Sequence, residues 1–344
     1  MRETREVRLR WDGKERIFGA EKPGLSKAAT APKVAFCTRD GSGELLYGDN
    51  LATLKTLATR CREAVTLAYL DPPFLTNRVH HAKKKGKTLD ERTELPAFDD
   101  RWTDRAAYLE ALGERLVVVR ELLAPHGSVV VHIDPKTSHY VKVLCDEIFG
   151  DDCFASEIVW RYRRWPSKTQ NFQRVHDVLL RYRKDAGEAP RWNTLYEPLA
   201  ASTIATWGVN KQRAVYAESG RRARSSTTPE ATAGVPMGDV WDIGVIAPVA
   251  RERTGYPSQK PEALLERLLR SLSDPGDLVL DPYAGSGTTL SVAARLGRRF
   301  IGIDASEVAI ATAQRRLSAL ETPTVTAYGN AIPSPSTRAH SHSR

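Results

Sequence analysis

The chain has 344 residues, and 51 Lys and Arg against 42 Asp and Glu leave a formal net charge of +9. That length suits one large domain or two ordinary ones, and the basic balance, with a pI ≈ 9.4, points to an anionic partner such as nucleic acid. With 27% charged residues and no apolar run near the roughly 18 residues that cross a bilayer, no membrane association is expected.

The opening Met1-Arg-Glu-Thr-Arg-Glu-Val-Arg8 carries charge where a secretory signal needs an apolar stretch. Cys37, Cys61, Cys145 and Cys153 form no Cys-x-x-Cys pair, so a reducing, cytoplasmic setting is expected. Residues 1–43 are basic, weakly periodic and broken by Lys22-Pro23-Gly24, which predicts an N-terminal arm. A strand then follows over 44–47 and a helix over 49–59, with Leu51, Leu54 and Leu57 on one face, before a second strand over 65–70. The pattern continues with a helix over 104–123, a break at Pro125-His126-Gly127 and a buried strand over 128–133. A helix over 138–149 precedes an antiparallel pair, 157–160 with 177–182. Residues 44–160 thus read as one half of an α/β sheet.

Regularity weakens over 161–255, where Arg, Trp, Ser, Thr and Pro accumulate and residues 221–229 predict an exposed loop. This stretch reads as an insert. A second half, 256–322, resumes with a leucine-faced helix over 261–272 and a strand over 277–280. A helix from Thr288, a strand over 300–303 and a helix over 306–320 complete it. The tail, 323–344, becomes rich in Pro and Ser from Pro333 and is expected to be disordered.

Two strand ends carry chemistry. Strand 277–280 runs into Asp281-Pro282-Tyr283-Ala284-Gly285-Ser286-Gly287-Thr288-Thr289 and then a helix, the place where an open α/β sheet binds a nucleotide-like ligand. The glycines allow close approach of backbone to ligand, and Asp304, at the next strand end, is placed to accept from ribose hydroxyls. Thr288 follows Gly287 where a phosphate loop needs Lys, and Leu290 stands where a dinucleotide fingerprint needs Gly or Ala. An adenosine cofactor with little phosphate need fits better. At the other strand end, Asp71-Pro72-Pro73-Phe74 offers a carboxylate, carbonyls fixed by prolines and an aromatic face. Those groups suit an exocyclic amino group on a planar base: two acceptors draw the amine toward tetrahedral geometry while the ring stacks. Asp-Pro-Pro could equally just end a strand, with Phe74 as a core plug.

Together these motifs resemble the amino DNA methyltransferases of the permuted class, in which Asp-Pro-Pro-aromatic precedes the cofactor motif. Gly255-Tyr-Pro-Ser-Gln-Lys-Pro261 stands in the place of that family's cofactor-flanking segment. The resemblance implies a Rossmann-like, doubly wound, mostly parallel sheet, circularly permuted and carrying an inserted target-recognition region. It implies S-adenosylmethionine as cofactor, with Asp49 at its adenine, Asp304 at its ribose, Gln259 and Lys260 near its methionine end, and Asp281 with residues 283–289 wrapping it. Asp49 could also simply cap a helix. Phe74 replaces the more usual Tyr, and Tyr283 a more usual Phe.

Asp before the prolines, with Gln259-Lys260-Pro261, resembles the adenine-N6 enzymes; cytosine-N4 methylation is the alternative. An RNA methyltransferase, a dinucleotide-dependent oxidoreductase and a DNA-binding module with a decayed site are more remote. Double-stranded DNA is the implied substrate, with a homodimer and a paired restriction endonuclease as possible partners. Reaching a paired base requires extruding it, which calls for cationic and aromatic contacts. Candidates are Lys83, Lys84 and Lys85; Arg161, Arg163 and Arg164 interleaved with Trp160, Tyr162 and Trp165; and Arg221 with Arg222. Solvated faces, or a strand with alternating sides, would explain the same clusters. The histidines match no zinc spacing and methyl transfer needs no metal, so none is expected.

Overall fold

The computed structural model describes residues 9–11, 14–18, 32–83, 94–166, 168, 170–216 and 218–321. Lys84, Lys85 and the tail from residue 322 lie outside the described residues. The first described elements are a short helix α1 (Glu15–Phe18) and strand β1 (Lys33–Cys37). Ile17 of α1 is buried, and β1 pairs antiparallel with β2 (Gly43–Tyr47). These segments therefore belong to the packed body, where an arm was expected. β1 escaped the sequence reading because it is an edge strand with no clean alternation of buried and exposed positions.

Helix α2 (Asn50–Leu57) leads to β3 (Val65–Leu70), all six residues of which are buried. Such a continuous apolar run belongs to a strand covered on both faces. A hairpin of β4 (Val79–Lys83) and β5 (Glu94–Asp99) follows, then α3 (Arg105–Leu122) and β6 (Leu123–Ile133). β6 runs straight through Pro125-His126-Gly127, where a break was expected. Gly127 is required there, because a Cβ would stand 2.7 Å from the Val65 carbonyl oxygen.

Helix α4 (Ser138–Phe149) precedes β7 (Phe154–Arg161) and β8 (His176–Arg183). Next come β9 (Tyr196–Glu197), α5 (Ala201–Trp207), a hairpin of β10 (Asn210–Tyr216) and β11 (Arg222–Ala231), β12 (Val235–Pro236) and β13 (Val240–Asp242). The expected loop over 221–229 is thus mostly strand β11. The second half holds α6 (Glu262–Leu272), β14 (Leu278–Asp281), α7 (Thr288–Arg295), β15 (Arg299–Asp304) and α8 (Glu307–Glu321).

Nine strands form one sheet in the order β1-β2-β15-β14-β3-β6-β8-β7-β13. The run β2-β15-β14-β3-β6 is parallel, while β1 and β8 pair antiparallel with their neighbours. Strands β8 and β13 are part of this sheet although they lie within 161–255, so only the remainder of that stretch stands outside it. Helices α2, α3 and α4 pack together around one core, which holds Leu54, Leu116 and Leu144. Helices α6, α7 and α8 pack over the other, with Leu264, Leu268, Leu290 and Leu317. Among the described residues no helix is long and apolar enough to cross a membrane.

Candidate active site

β3 and β14 are parallel neighbours at the centre of the sheet. From β3 the chain crosses through α3 to β6 on one side, and from β14 through α7 to β15 on the other. The sheet diverges at that point, and the crevice beyond the carboxyl ends of two such strands is where open α/β sheets bind ligands. A cavity of ≈ 820 Å³ opens there. Asp49, Asp71, Pro72, Pro73, Phe74, Gln259, Lys260, Asp281, Tyr283, Ala284, Gly285, Ser286, Thr288, Thr289 and Asp304 all line it, so the two motifs share one site.

Asp71 leaves the end of β3 at the floor of the cavity. Its Oδ2 is ion-paired with the Lys260 ammonium, both side chains being largely buried. Its Oδ1 is buried with no hydrogen-bond partner among the described residues. An unmet buried acceptor costs roughly 1–3 kcal/mol until a donor reaches it. The Phe74 ring lies 5.1 Å from the Lys260 Nζ and 5.7 Å from the His132 ring.

His132 itself is fully buried behind the turn. Its Nδ1 meets the Tyr69 hydroxyl at 2.8 Å and its Nε2 lies 3.7 Å from Asp177 Oδ2. Burial, with Lys260 nearby, lowers its pKa and favours the neutral ring.

The cofactor-motif carboxylates are strongly desolvated. Asp281 accepts from the Tyr283 N–H at 3.0 Å, and burial pushes its pKa up to about 7. Asp304 accepts from the Gly285 and Ser306 N–H groups, each at 2.8 Å; burial still outweighs those bonds and raises it to about 6. Gly285 has φ +49, and a Cβ there would stand 3.3 Å from the Tyr256 ring. Asp49 caps α2, accepting from the Ala52 N–H at 2.9 Å, with its other oxygen 3.5 Å from the Arg115 guanidinium. Asn50 beside it donates to the Pro282 carbonyl at 3.0 Å, tying the first half of the chain to the second.

Other expectations need correction. Gly287 does not line the cavity; its left-handed backbone lets α8 approach, since a Cβ would stand 2.8 Å from Ala313. Gln259 turns its amide away into its own loop, accepting from the Thr254 N–H at 2.8 Å and donating to the Glu252 carbonyl at 2.7 Å. Trp160 and Tyr162 are buried core residues, because β7 alternates faces, whereas Trp165 is 93% exposed. Arg161 is paired with Asp242. Arg163, Arg164 and Arg221 are exposed, and none of the three lines the cavity. Lys83 and Arg222 are described only as backbone, in β4 and β11.

Sequence reasoning missed Asp100, which is 1% exposed and sits just after β5. It also missed Tyr256, Phe98 and Arg115, which line the cavity. A lone carboxylate and isolated aromatics carry no spacing signal, so only the fold reveals them.

The sheet order and the switch point define a Rossmann-like, doubly wound protein with one ligand site at its strand ends, where two acidic turns face each other. Residues 65–315 match the N6/N4 methyltransferase family model, described as DNA methylase, and the chain belongs to that family. It is 30% identical over 323 residues to the Type II methyltransferase M.EcaI of Enterobacter cloacae, covering 79% of this chain and 69% of that protein. Over 274 residues it is 29% identical to the DNA adenine methyltransferase YhdJ of Escherichia coli (strain K12), covering 79% and 82%. The PvuII DNA methyltransferase, cytosine-N4-specific, shares the fold at a TM-score of 0.55 and 19% identity, over 83% of this chain and 88% of that one.

Proposed function

We propose that the protein methylates the exocyclic N6 amino group of adenine in double-stranded DNA, with S-adenosylmethionine as the methyl donor. The observation that carries this is the buried, unpartnered Asp71 Oδ1 beside the Phe74 ring. Lys260 holds the other oxygen, so one acceptor is left for an amine N–H, and the Pro72 carbonyl is the candidate for a second. Pro72 and Pro73 have no N–H to compete for either acceptor. With its hydrogens so engaged, the amine lone pair turns out of the base plane. The relative YhdJ is named a DNA adenine methyltransferase, which supports adenine over cytosine.

The cavity suits the cofactor. Asp304 keeps lone pairs free beyond its backbone donors for ribose hydroxyls, and the missing side chain at Gly285 lets the Tyr256 ring close against the turn. When bound, S-adenosylmethionine supplies an electrophilic sulfonium methyl group. Asp281, Tyr283 and residues 284–286 with Thr288 and Thr289 would enclose it, Asp49 would face its adenine, and Gln259 would shape the wall through its loop. Lys260 acts on Asp71 directly. The methyl–nitrogen bond would form as the methyl–sulfur bond breaks, with the bonding pair left on sulfur, and the surplus proton of the methylated amine would leave to solvent by way of Asp71 Oδ1, the acceptor already facing it.

Lys83, Lys84, Lys85, Arg161, Arg163, Arg164, Arg221 and Arg222 are proposed for the phosphate backbone, with Arg161 exchanging Asp242 for phosphate. The Type II name of M.EcaI supports a paired endonuclease. A homodimer and a cytoplasmic setting, the latter supported by four free cysteines, complete the proposal.

Incubation with labelled S-adenosylmethionine and unmethylated DNA, followed by nucleoside mass spectrometry, tests it. N6-methyladenine is expected; N4-methylcytosine overturns the base, and label in RNA alone overturns the substrate. Asp71→Ala should lower turnover by at least about 100-fold while cofactor affinity changes only severalfold.

A further inference from the structure

Asp100 lies outside the motifs, yet it receives more hydrogen bonds than either cofactor-motif carboxylate. One carboxylate accepts from three successive backbone groups, Phe74 N–H at 3.2 Å, Leu75 N–H at 2.9 Å and Thr76 N–H at 2.8 Å. It also accepts from the Thr76 hydroxyl at 2.6 Å and the Trp102 indole at 3.1 Å. Those backbone donors are the first available after Asp71, since the two prolines have none. Three successive N–H groups aimed at one point form an anion-binding concavity, and the backbone curls to make it. Leu75 and Asn77 are both left-handed, at φ 56. Such conformations cost roughly 1–3 kcal/mol each and persist only where surrounding bonds hold them.

The backbone of Asp100 closes the same knot, its N–H donating to the Arg78 carbonyl at 2.9 Å and its carbonyl accepting from Asn77 at 3.0 Å. The Asp71 turn and the foot of the β4–β5 hairpin are therefore one rigid unit. We infer that Asp100 is the positioning residue of the reaction: by gathering the three N–H groups after the prolines, it fixes where the Phe74 ring stands and where the acceptors of the turn point. It touches neither substrate nor cofactor in this role, which rests on the methyl-transfer proposal above.

The isosteric Asp100→Asn tests it. An amide has one acceptor oxygen where the carboxylate has two, and its NH2 would face N–H donors. The turn should then relax by about 1 Å, a displacement that costs on the order of 100-fold in rate. The expected result is a single-turnover rate about 100-fold below wild type, with S-adenosylhomocysteine affinity and DNA KM within about threefold. A 2-aminopurine at the target base should become brighter in the variant, because Phe74 no longer stacks on it; a purely structural role would not separate these readouts. A rate within threefold of wild type overturns the inference, as does an equal loss of rate and cofactor affinity in a folded variant.

Should Asp100→Asn fail to fold, Thr76→Val removes the hydroxyl donor to the same carboxylate, together with the contact of that hydroxyl with His80 Nε2 at 2.9 Å, and leaves the three backbone donors in place; His80→Ala, which removes the second contact and keeps the hydroxyl, is the control and should leave the rate unchanged. Thr76→Val should lower the single-turnover rate about 3- to 10-fold at unchanged cofactor affinity, and no change in rate overturns the inference. The wild-type enzyme run in parallel separates the two proposals: if it transfers no methyl group the function is wrong, and if it methylates while Asp100→Asn matches it the positioning role is wrong.

Discussion

At the scale of single residues, the site is built on carboxylates that differ in what faces them. Among the described residues Asp71 has Lys260 at one oxygen and no hydrogen-bond partner at the other, whereas Asp281 is held by the Tyr283 N–H and the Thr289 side chain and Asp304 by backbone N–H groups. Removing Lys260 leaves a largely buried carboxylate without its counter-charge, so Lys260→Met should cost about 3 kcal/mol, measured by denaturant unfolding. Burial pushes the Asp304 pKa up to about 6 from the usual 3.8. The folded state thus keeps a proton that the unfolded chain releases, and this group's contribution to stability falls as pH rises from about 4 through about 6. Ligand binding runs the other way. If the ionised carboxylate accepts from ribose hydroxyls, S-adenosylhomocysteine should bind more tightly as pH rises through 6 and level off above 7. Calorimetric titration between pH 5.5 and 8 checks this, and Asp304→Asn should flatten the profile.

Among the elements, β7 shows how far side-chain pattern reaches. Trp160 and Tyr162 are inward and Arg161 outward. The interleaved run that suggested a nucleic-acid surface is half core, and the alternating-strand explanation of the same residues describes that half. Trp160→Ala should therefore cost about 3–5 kcal/mol of stability. The double substitution of Arg163 and Arg164 by Ala should leave stability within about 0.5 kcal/mol. If both contact phosphates, the slope of log K against log salt for DNA binding should fall by about 1.8. Fluorescence anisotropy across a salt series reads that slope.

The parallel strands and long helices were legible because a helix buries one face with period 3.6, as α4 does, while a strand covered on both faces is a short continuous apolar run, as β3 is. Strands β10 and β11 were not. Pro229, which has no N–H for a ladder, lies within β11, and among the described residues the two strands pair only with each other. The Lys260–Asp71 pair joins residues 189 positions apart, and only the sheet order brings them together.

On the scale of the whole molecule, that order interleaves the two ends of the chain. Strands β15 and β14, from the second half, lie between β2 and β3, from the first. Neither half owns a complete sheet. A fragment ending at residue 255 lacks β14 and β15, the two strands that join β2 to β3, and should show no cooperative thermal transition by circular dichroism, whereas the full chain should show one. Asn50, which bonds the Pro282 carbonyl, and Lys260, which bonds Asp71, fasten the halves at the site itself.

The same interleaving has a consequence for the protein's life on the ribosome. Asp71 emerges long before Asp281, 210 positions ahead of it, and at about 5–20 residues per second the interval is on the order of ten to forty seconds. Through that interval β3 is exposed along the edge that β14 will cover, a row of unpaired backbone groups beside an apolar strand. Translation must run through β15 before the cofactor carboxylates Asp281 and Asp304 stand beside Asp71, so a chain that has not yet reached Asp304 has no methyl-transfer site.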